Sequence, residues 1–433
     1  MAEECHLTRL PNPSWSKFKR TRLLNQQGPG EFLAWIAGKK GRTLVLRDPS
    51  GARELRPSGP MGEQLLALPL ETLVWVRGRV EGENIVVEDL AVVNRPLVER
   101  TVDYLTSPPD PRRYAELYYW YVRGDGFRRV ALTRSLVLKY SREFLDANGF
   151  IELEPPVVGV VSDPGLRGAR KLVTEAYGFR LELMSSLIMY KQLMASVFEK
   201  IYYVARNVRE EPPENQSSGR HLFEFTQLDV EWGLSSLEDV KGLAERLLHY
   251  VHKRVLEEAP DVLHERLLDR SLFNPPFPVI TYEEALKKAD ELGFKEEWGR
   301  ELSFQAETAI SSTINKPFWL MFFPKQSRGF YYYPLEDNEA LNMDFNLILP
   351  WGFGEVLDGG CREYRYNRLL ERIKSLNEDV GKYGWFLELA LNGGIAPSCG
   401  WGLGVERLVR FMLGLKHVAY ATLHPRLPGV LPP

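Results

Sequence analysis

Cysteine is scarce in this chain: three residues among 433, Cys5, Cys361 and Cys399, with no CxxC pair and no Cys/His ligand spacing. That scarcity argues against a structural zinc site and leads to the expectation of no disulfide framework. No apolar run approaches the roughly twenty residues that a membrane span needs. The N-terminus, MAEECHLTRL, lacks the basic-then-apolar order of a signal peptide, so a cytoplasmic protein without membrane partners is expected. A dominant charge sign is missing too. Lys and Arg total 55 against 58 Asp and Glu, and the formal net charge of −3 argues against a general polyanion binder. A local basic face stays open at Lys17, Lys19, Arg20 and Arg22, where a solvated arm explains the charges equally well. Repeats and low-complexity tracts are absent. The remaining balance, 44% hydrophobic and 26% charged, is that of a globular protein long enough for two domains.

Texture divides the chain. Residues 31–95 alternate or run apolar in EFLAWIAG, RTLVLRD, LVWVRGRV and NIVVEDLAVV, separated by turns such as Asp48-Pro49-Ser50-Gly51. Short strands at this spacing predict a small barrel, most simply of the oligonucleotide/oligosaccharide-binding (OB) kind. The domain expectation is an OB-like domain over 1–100, a linker or hinge over 101–130 containing Pro108-Pro109-Asp110-Pro111, and a catalytic domain over 131–433. In that last part LTRSLVLKYSREFLDANGF sets Leu136, Tyr140, Phe144 and Leu145 on one helical face and stops at Asn148-Gly149. Helices are predicted near 236–257, 278–293, 303–313, 363–377 and 382–391, and a Gly-rich strand is predicted to run into a final helix over 400–414. Strands are predicted at 317–323, 340–349 and 352–358. Strands interrupted by helices without a βαβ beat give an α+β fold with a mostly antiparallel sheet.

The most informative stretch is residues 203–232, YVARNVREEPPENQSSGRHLFEFTQLDVEW. Two alternating strands flank a polar loop with Pro212, Pro213, Asn215 and Gly219. Arg209 and Glu211 end the first strand; Arg220, His221, Glu224, Phe225 and Asp229 mark the second. Such a hairpin offers an arginine fork for phosphate, an acid for an exocyclic amine and an aromatic face for a base. Those are the parts of an ATP site on a sheet.

The long helix with its following strand and Pro156, the hairpin, and GWGLGVERLVRF (400–411) resemble, in order, the three motifs of class II aminoacyl-tRNA synthetases. The likeness is to the aspartyl/asparaginyl/lysyl subgroup. FPVITYEEALKKADELGF, ELSFQAETAI and PFWLMFFPKQSRGFYYYP extend it, so that it covers most of residues 112–426. The fold it implies is an antiparallel sheet flanked by helices, preceded by the OB-like barrel. The resemblance implies ATP-binding roles for Arg209, Glu211, Arg220, His221, Phe225, Glu355 and Arg407. Arg209 would hold the α-phosphate, Phe225 would stack on adenine, and Arg407 would clamp the γ-phosphate. It implies Mg²⁺ on acidic residues of two adjacent strands, of which Glu355 matches one. The second position, nine residues earlier, is Asn346, and Asp344 two residues before it is the expected substitute. Lys191 in SSLIMYKQ and Arg362 match the cations that hold a substrate carboxylate, with Asp229 orienting Lys191. Two cations in one pocket favour aspartate over asparagine.

Departures from the pattern are Ser186-Leu187-Ile188 in place of Ser-Pro-Gln, Ser398 in place of a histidine, and PRLPG (425–429) without an Asp after Arg426. SDPGLRGA, GRHLFEFTQLDVE and PSCGWGLGVERLVRF also resemble the archaeal asparagine synthetase related to asparaginyl-tRNA synthetase. Three readings follow: aspartate activated and passed to tRNA, aspartate activated and passed to ammonia, and a non-catalytic RNA-binding paralogue. The OB-like module favours tRNA, and Phe32, Trp35 and Trp75 are its few aromatic candidates. The resemblance also implies a homodimer joined through the helix near 131–148.

Overall fold

A computed structural model describes residues 22–162, 168–431 and 433. Cys5, Lys17, Lys19, Arg20 and the centre of the SDPGLRGA segment lie outside the described residues. The chain divides into two compact units. One runs to Pro109 and includes Leu117–Arg128; the other comprises Asp110–Glu116 and Arg129–Pro433.

The first unit is a closed five-stranded barrel of β1 (Gly28–Lys40), β2 (Thr43–Asp48), β3 (Gly51–Ser58), β4 (Leu73–Glu81) and β5 (Asn84–Asn94), with the short α1 (Gly62–Ala67) between β3 and β4. The strand order is β1-β2-β3-β5-β4, closed by antiparallel pairing of β1 with β4. Strand alternation sends Phe32, Ala34, Ile36, Val74, Val76, Ile85 and Val87 into the interior. Phe32 is therefore core, whereas Trp35 and Trp75 sit on the outward alternation and are half-buried. The Arg47 guanidinium lies 4.7 Å from the Trp35 ring centre.

The stretch expected as a linker carries helices of its own: α2 (Pro111–Tyr121) and the start of α3 (Asp125–Ala147). The reason lies in three residues. The Asp110 side chain accepts from the Arg113 amide, and Pro111 stands at the first helical position, where no amide hydrogen is needed. On α3, Leu136, Tyr140 and Leu145 are buried as the periodicity requires, and Phe144 is half-buried. Gly149, at φ +78°, and the Phe150 amide bonded to Leu145 O close the helix.

The second unit is built on an eight-stranded sheet. Its strands are β6 (Ile151–Glu152), β10 (Lys200–Val208), β11 (Glu224–Gly233), β12 (Val279–Thr281), β13 (Phe318–Met321), β16 (Asp344–Leu349), β17 (Gly354–Cys361) and β18 (Ser398–Gly404). The order is β12-β13-β16-β17-β18-β11-β10-β6, antiparallel except at the two edges. A small sheet of β7 (Val158–Gly159), β8 (Val173–Ala176) and β9 (Phe179–Leu183), and a β14 (Pro334–Leu335)–β15 (Asn338–Asn342) hairpin, lie apart from it. Helices α4 (Ile188–Phe198), α5 (Leu237–Glu258), α6 (Tyr282–Glu291), α7 (Phe304–Ser312), α8 (Tyr366–Ser375), α9 (Gly384–Leu391) and α10 (Val405–Met412) complete the unit. All six residues of β16 are buried, as a central strand covered on both faces must be. The α5 helix opens with a capping box between Ser236 and Asp239 and buries Val240, Leu243, Ala244, Leu247, Val251 and Val255 at helical spacing. The fold is α+β, as expected.

The strand expected to run into a final helix over 400–414 is found, strand to Gly404 and helix from Val405. One expectation needs correction. Cys361 and Cys399, distant in sequence, are paired in a disulfide, because β17 and β18 place them directly opposite one another. Sequence separation says nothing about register, which is why the pairing was not expected.

Candidate active site

A cavity of about 320 Å³ opens on the sheet face between the hairpin, β17, β18 and the start of α10. Arg209, Glu211, Arg220, His221, Phe225, Glu355 and Arg407 all line it. Residues almost 200 positions apart converge because β11 pairs with β18 and β18 with β17.

The hairpin supplies one wall. Antiparallel pairing of Asn207 with Phe225 sets the Arg209 guanidinium 5.2 Å from the Phe225 ring, and its Nε donates to Ser185 O at 3.0 Å. Glu211 is held by Asn215 Nδ2 at 3.0 Å. Arg220 is buried and pairs with Glu307 at 2.7 Å. His221 Nδ1 lies 2.6 Å from Ser218 Oγ. Burial, then the positive charges of Arg407 and Arg220, push its pKa down to about 3. The imidazole is therefore neutral at physiological pH. Across the cavity Arg407 donates to Glu355 Oε1 at 2.7 Å and to the Glu355 carbonyl at 3.1 Å. Three guanidiniums facing one cavity make an anion site.

Lys191, Asp229 and Arg362 do not line this cavity; they lie behind it. Lys191 Nζ is 3.0 Å from Asp229 Oδ1 and 3.8 Å from Glu231 Oε2, with all three side chains buried. Arg362 grips Glu231 through Nε at 3.0 Å and Nη2 at 3.2 Å, and Ser398 Oγ donates to the same carboxylate at 2.8 Å. The two cations are thus already matched by two carboxylates. Gly402, which lines the cavity, separates it from this network; a Cβ there would meet Asp229 Oδ1 at 2.8 Å, so only glycine permits the approach.

The structure places Asp344 away from the cavity. It is fully buried, accepts from the Phe323 amide at 2.8 Å and faces Arg328 Nε at 3.3 Å. Burial raises its carboxyl to about 7 despite that guanidinium. Same-face alternation on β16 does align Asp344 with Asn346, but it says nothing about distance from Glu355. It is Asn346 that touches Glu355, through Nδ2 at 3.2 Å. Glu231, Glu307, Arg328 and Asp358 belong to the surroundings of the site without having been singled out in the sequence. For Glu231 the signal was available: it stands two residues after Asp229 and faces the same way. The others depend on cross-strand neighbours.

Glu355 and Asp358 carboxylates line the cavity, and the Asn346 amide adjoins them, so the donors are hard oxygens suited to Mg²⁺. Among the described residues no three His, Cys, Asp or Glu side chains form a ready metal cage. A site completed by substrate phosphates needs only one or two carboxylates. The residues fit the ion on those terms.

An antiparallel sheet with an arginine-walled, nucleotide-sized cavity on one face, and a closed barrel ahead of it, are the parts of a synthetase that works on a nucleotide substrate. The chain belongs to the tRNA synthetases class II (D, K and N), whose family model matches residues 111–428. It is 30% identical to the aspartate–tRNA(Asp/Asn) ligase of Archaeoglobus fulgidus, over 88% of this chain and 90% of that one. It is 27% identical to the asparagine–tRNA ligase of Thermococcus gammatolerans, over 90% and 92% respectively. The fold also matches the asparaginyl-tRNA synthetase from Pyrococcus horikoshii complexed with asparaginyl-adenylate, with a TM-score of 0.82 and 26% identity, covering 94% of this chain and 97% of that one.

Proposed function

We propose that this chain joins aspartate to ATP, releasing pyrophosphate, and passes the aspartyl group to tRNA. The observation that carries the reading is an arginine-walled cavity backed by the buried Lys191–Asp229 pair. In this reading Phe225 stacks on adenine, Glu211 accepts from its amine, and Arg209 holds the α-phosphate while the amino-acid carboxylate attacks phosphorus. No protein nucleophile is required, only stabilisation of charge that develops on the phosphates. Arg220 and Arg407 provide it at the pyrophosphate end. Neutral His221 adds a hydrogen-bonding group there without a further charge. Mg²⁺, when bound, offsets phosphate charge, and Glu355 is the residue expected to hold it.

Lys191 and Arg362 support aspartate as the amino acid. A second reading, asparagine, draws on the carboxylates of Asp229 and Glu231, which leave the paired network without net charge. The two are separated by ATP–pyrophosphate exchange with each amino acid, followed by transfer of ¹⁴C label with either total tRNA or ammonium added. Aspartate-dependent exchange and label in acid-precipitable RNA are expected. Exchange with asparagine alone sinks the aspartate reading. Free labelled asparagine formed only with ammonium sinks the tRNA reading.

A further inference from the structure

We infer that His417 is a positioning residue of the nucleotide site, a latch that seats the loop between the hairpin strands so that Glu211, Arg220 and His221 face the cavity. This rests on the nucleotide-site reading above and deepens it. The loop is the short 3₁₀ turn Pro213–Ser218 followed by Gly219, at φ +71°. All three cavity-lining side chains stand at its ends, and its own bonds tie it to them. Asn215 Nδ2 donates to Glu211 Oε2 at 3.0 Å; Ser218 Oγ accepts from the Arg220 amide at 3.2 Å and lies 2.6 Å from His221 Nδ1. No residue of the turn is buried, so it has no core of its own to fix its place. Its seat comes from elsewhere in the chain.

That seat is the segment from Lys416 to Ala419. His417 Nε2 lies 2.9 Å from the carbonyl oxygen of Gln216, 201 positions earlier, and the Val418 amide donates to Gly219 O at 2.9 Å. A Cβ on Gly219 would meet Lys416 O at 3.4 Å, so the two segments touch along the backbone. The other ring nitrogen decides where the imidazole proton sits. The Ala419 amide donates to His417 Nδ1 at 3.0 Å, capping the 3₁₀ turn Val418–Ala421. An amide hydrogen needs a lone pair, so Nδ1 is bare. The proton is therefore on Nε2, aimed at the Gln216 carbonyl, which can only accept. Burial lowers the imidazole pKa against the opposing pull of the Gln216 bond, and the Arg410 charge adds to the lowering, so this neutral tautomer is the form present at pH 7. One side chain thus makes two separable bonds: Nδ1 caps its own turn, and Nε2 holds the loop. Val418, next in the chain, lines the cavity itself, so latch and cavity wall belong to one segment.

The two bonds can be cut one at a time. Asparagine keeps an acceptor where Nδ1 stands and is a favoured cap, but it is too short to reach Gln216. Glutamine extends a donor to where Nε2 stands and carries no acceptor at the Nδ1 position. ATP dissociation constants are measured on the full chain by isothermal titration calorimetry, with urea midpoints alongside. His417→Asn is expected to bind ATP about fivefold more weakly, the scale of one net hydrogen bond, at an unchanged urea midpoint. His417→Gln is expected to bind ATP as wild type does while unfolding at lower urea. A role in folding alone gives the reverse, with ATP affinity following stability. That reversal, or ATP affinity of His417→Asn equal to wild type, overturns the inference and leaves the nucleotide site standing. ATP that fails to bind wild type overturns both. Should one variant lose its near-ultraviolet circular dichroism, the other decides: wild-type affinity in His417→Asn, or weakened affinity in His417→Gln, is the overturning result.

Discussion

Arg407 shows how a single residue gains its meaning from its surroundings. In the sequence it is marked by the motif GWGLGVERLVRF; in the structure it lines the cavity with Arg209 and bonds Glu355. Arg407→Ala is expected to lower pyrophosphate exchange by about 100-fold or more, the scale of removing a donor aimed at developing charge. Unchanged exchange removes it from the site. His221 gives a pH prediction. Its folded pKa, about 3, lies below the ordinary value near 6.5, so between those limits the unfolded chain binds more protons than the native one. The neutral-state contribution is complete above pH 6.5 and is lost as pH falls toward 3. His221→Gln lacks this titration, so wild type should lose stability relative to it by up to about 1.4 kcal/mol per pH unit below 6.5. Urea midpoints for both proteins at pH 7, 6, 5 and 4.5 check this, and parallel curves contradict it.

Elements were legible where periodicity and punctuation agreed. The α5 helix was expected at 236–257 and lies at Leu237–Glu258, because a capping serine precedes an unbroken apolar stripe. Removing that serine's hydroxyl with Ser236→Ala should cost about 1 kcal/mol, read as a lower urea midpoint at unchanged slope. The hairpin was legible for a different reason: alternation fixes its two faces, and antiparallel pairing then delivers Arg209, Glu211 and Phe225 together. Legibility failed where one strand's content depends on another's register. The Cys361–Cys399 pair and the position of Asp344 away from the cavity are properties of pairings rather than of segments. Prolines suggested a linker over 101–130, but Asp110-Pro111 is also a strong helix start, and α2 begins there.

At the scale of the whole molecule, two compact units invite a division of labour. Trp35 is half-buried beside the Arg47 and Arg123 guanidiniums, and in the proposed tRNA reading it is the barrel's candidate for stacking on an unpaired base. Trp35→Ala is expected to raise the KM for tRNA while leaving pyrophosphate exchange unaltered; a parallel loss of exchange argues against an RNA role. Ile151, Val157, Val158 and Val160 are apolar yet exposed just after α3, the helix that the family resemblance implies as a dimer surface. Sedimentation equilibrium should therefore show a dimer, and a monomer at all concentrations contradicts the dimer proposal. The described residues include no helix long and apolar enough to cross a membrane. The amino-acid sequence by itself determined most of the elements, the α+β class and the hairpin that carries Arg209, Glu211 and Phe225 to the cavity wall, because strand alternation, helix caps and one hairpin are local rules. The pairing of Lys191 with Asp229 was expected; tertiary structure decided which other charges meet. It brought Glu231 onto Arg362, withdrew Asp344 behind Arg328 and set Asp358 opposite Asn346, since partners of a buried charge are chosen by sheet order and register.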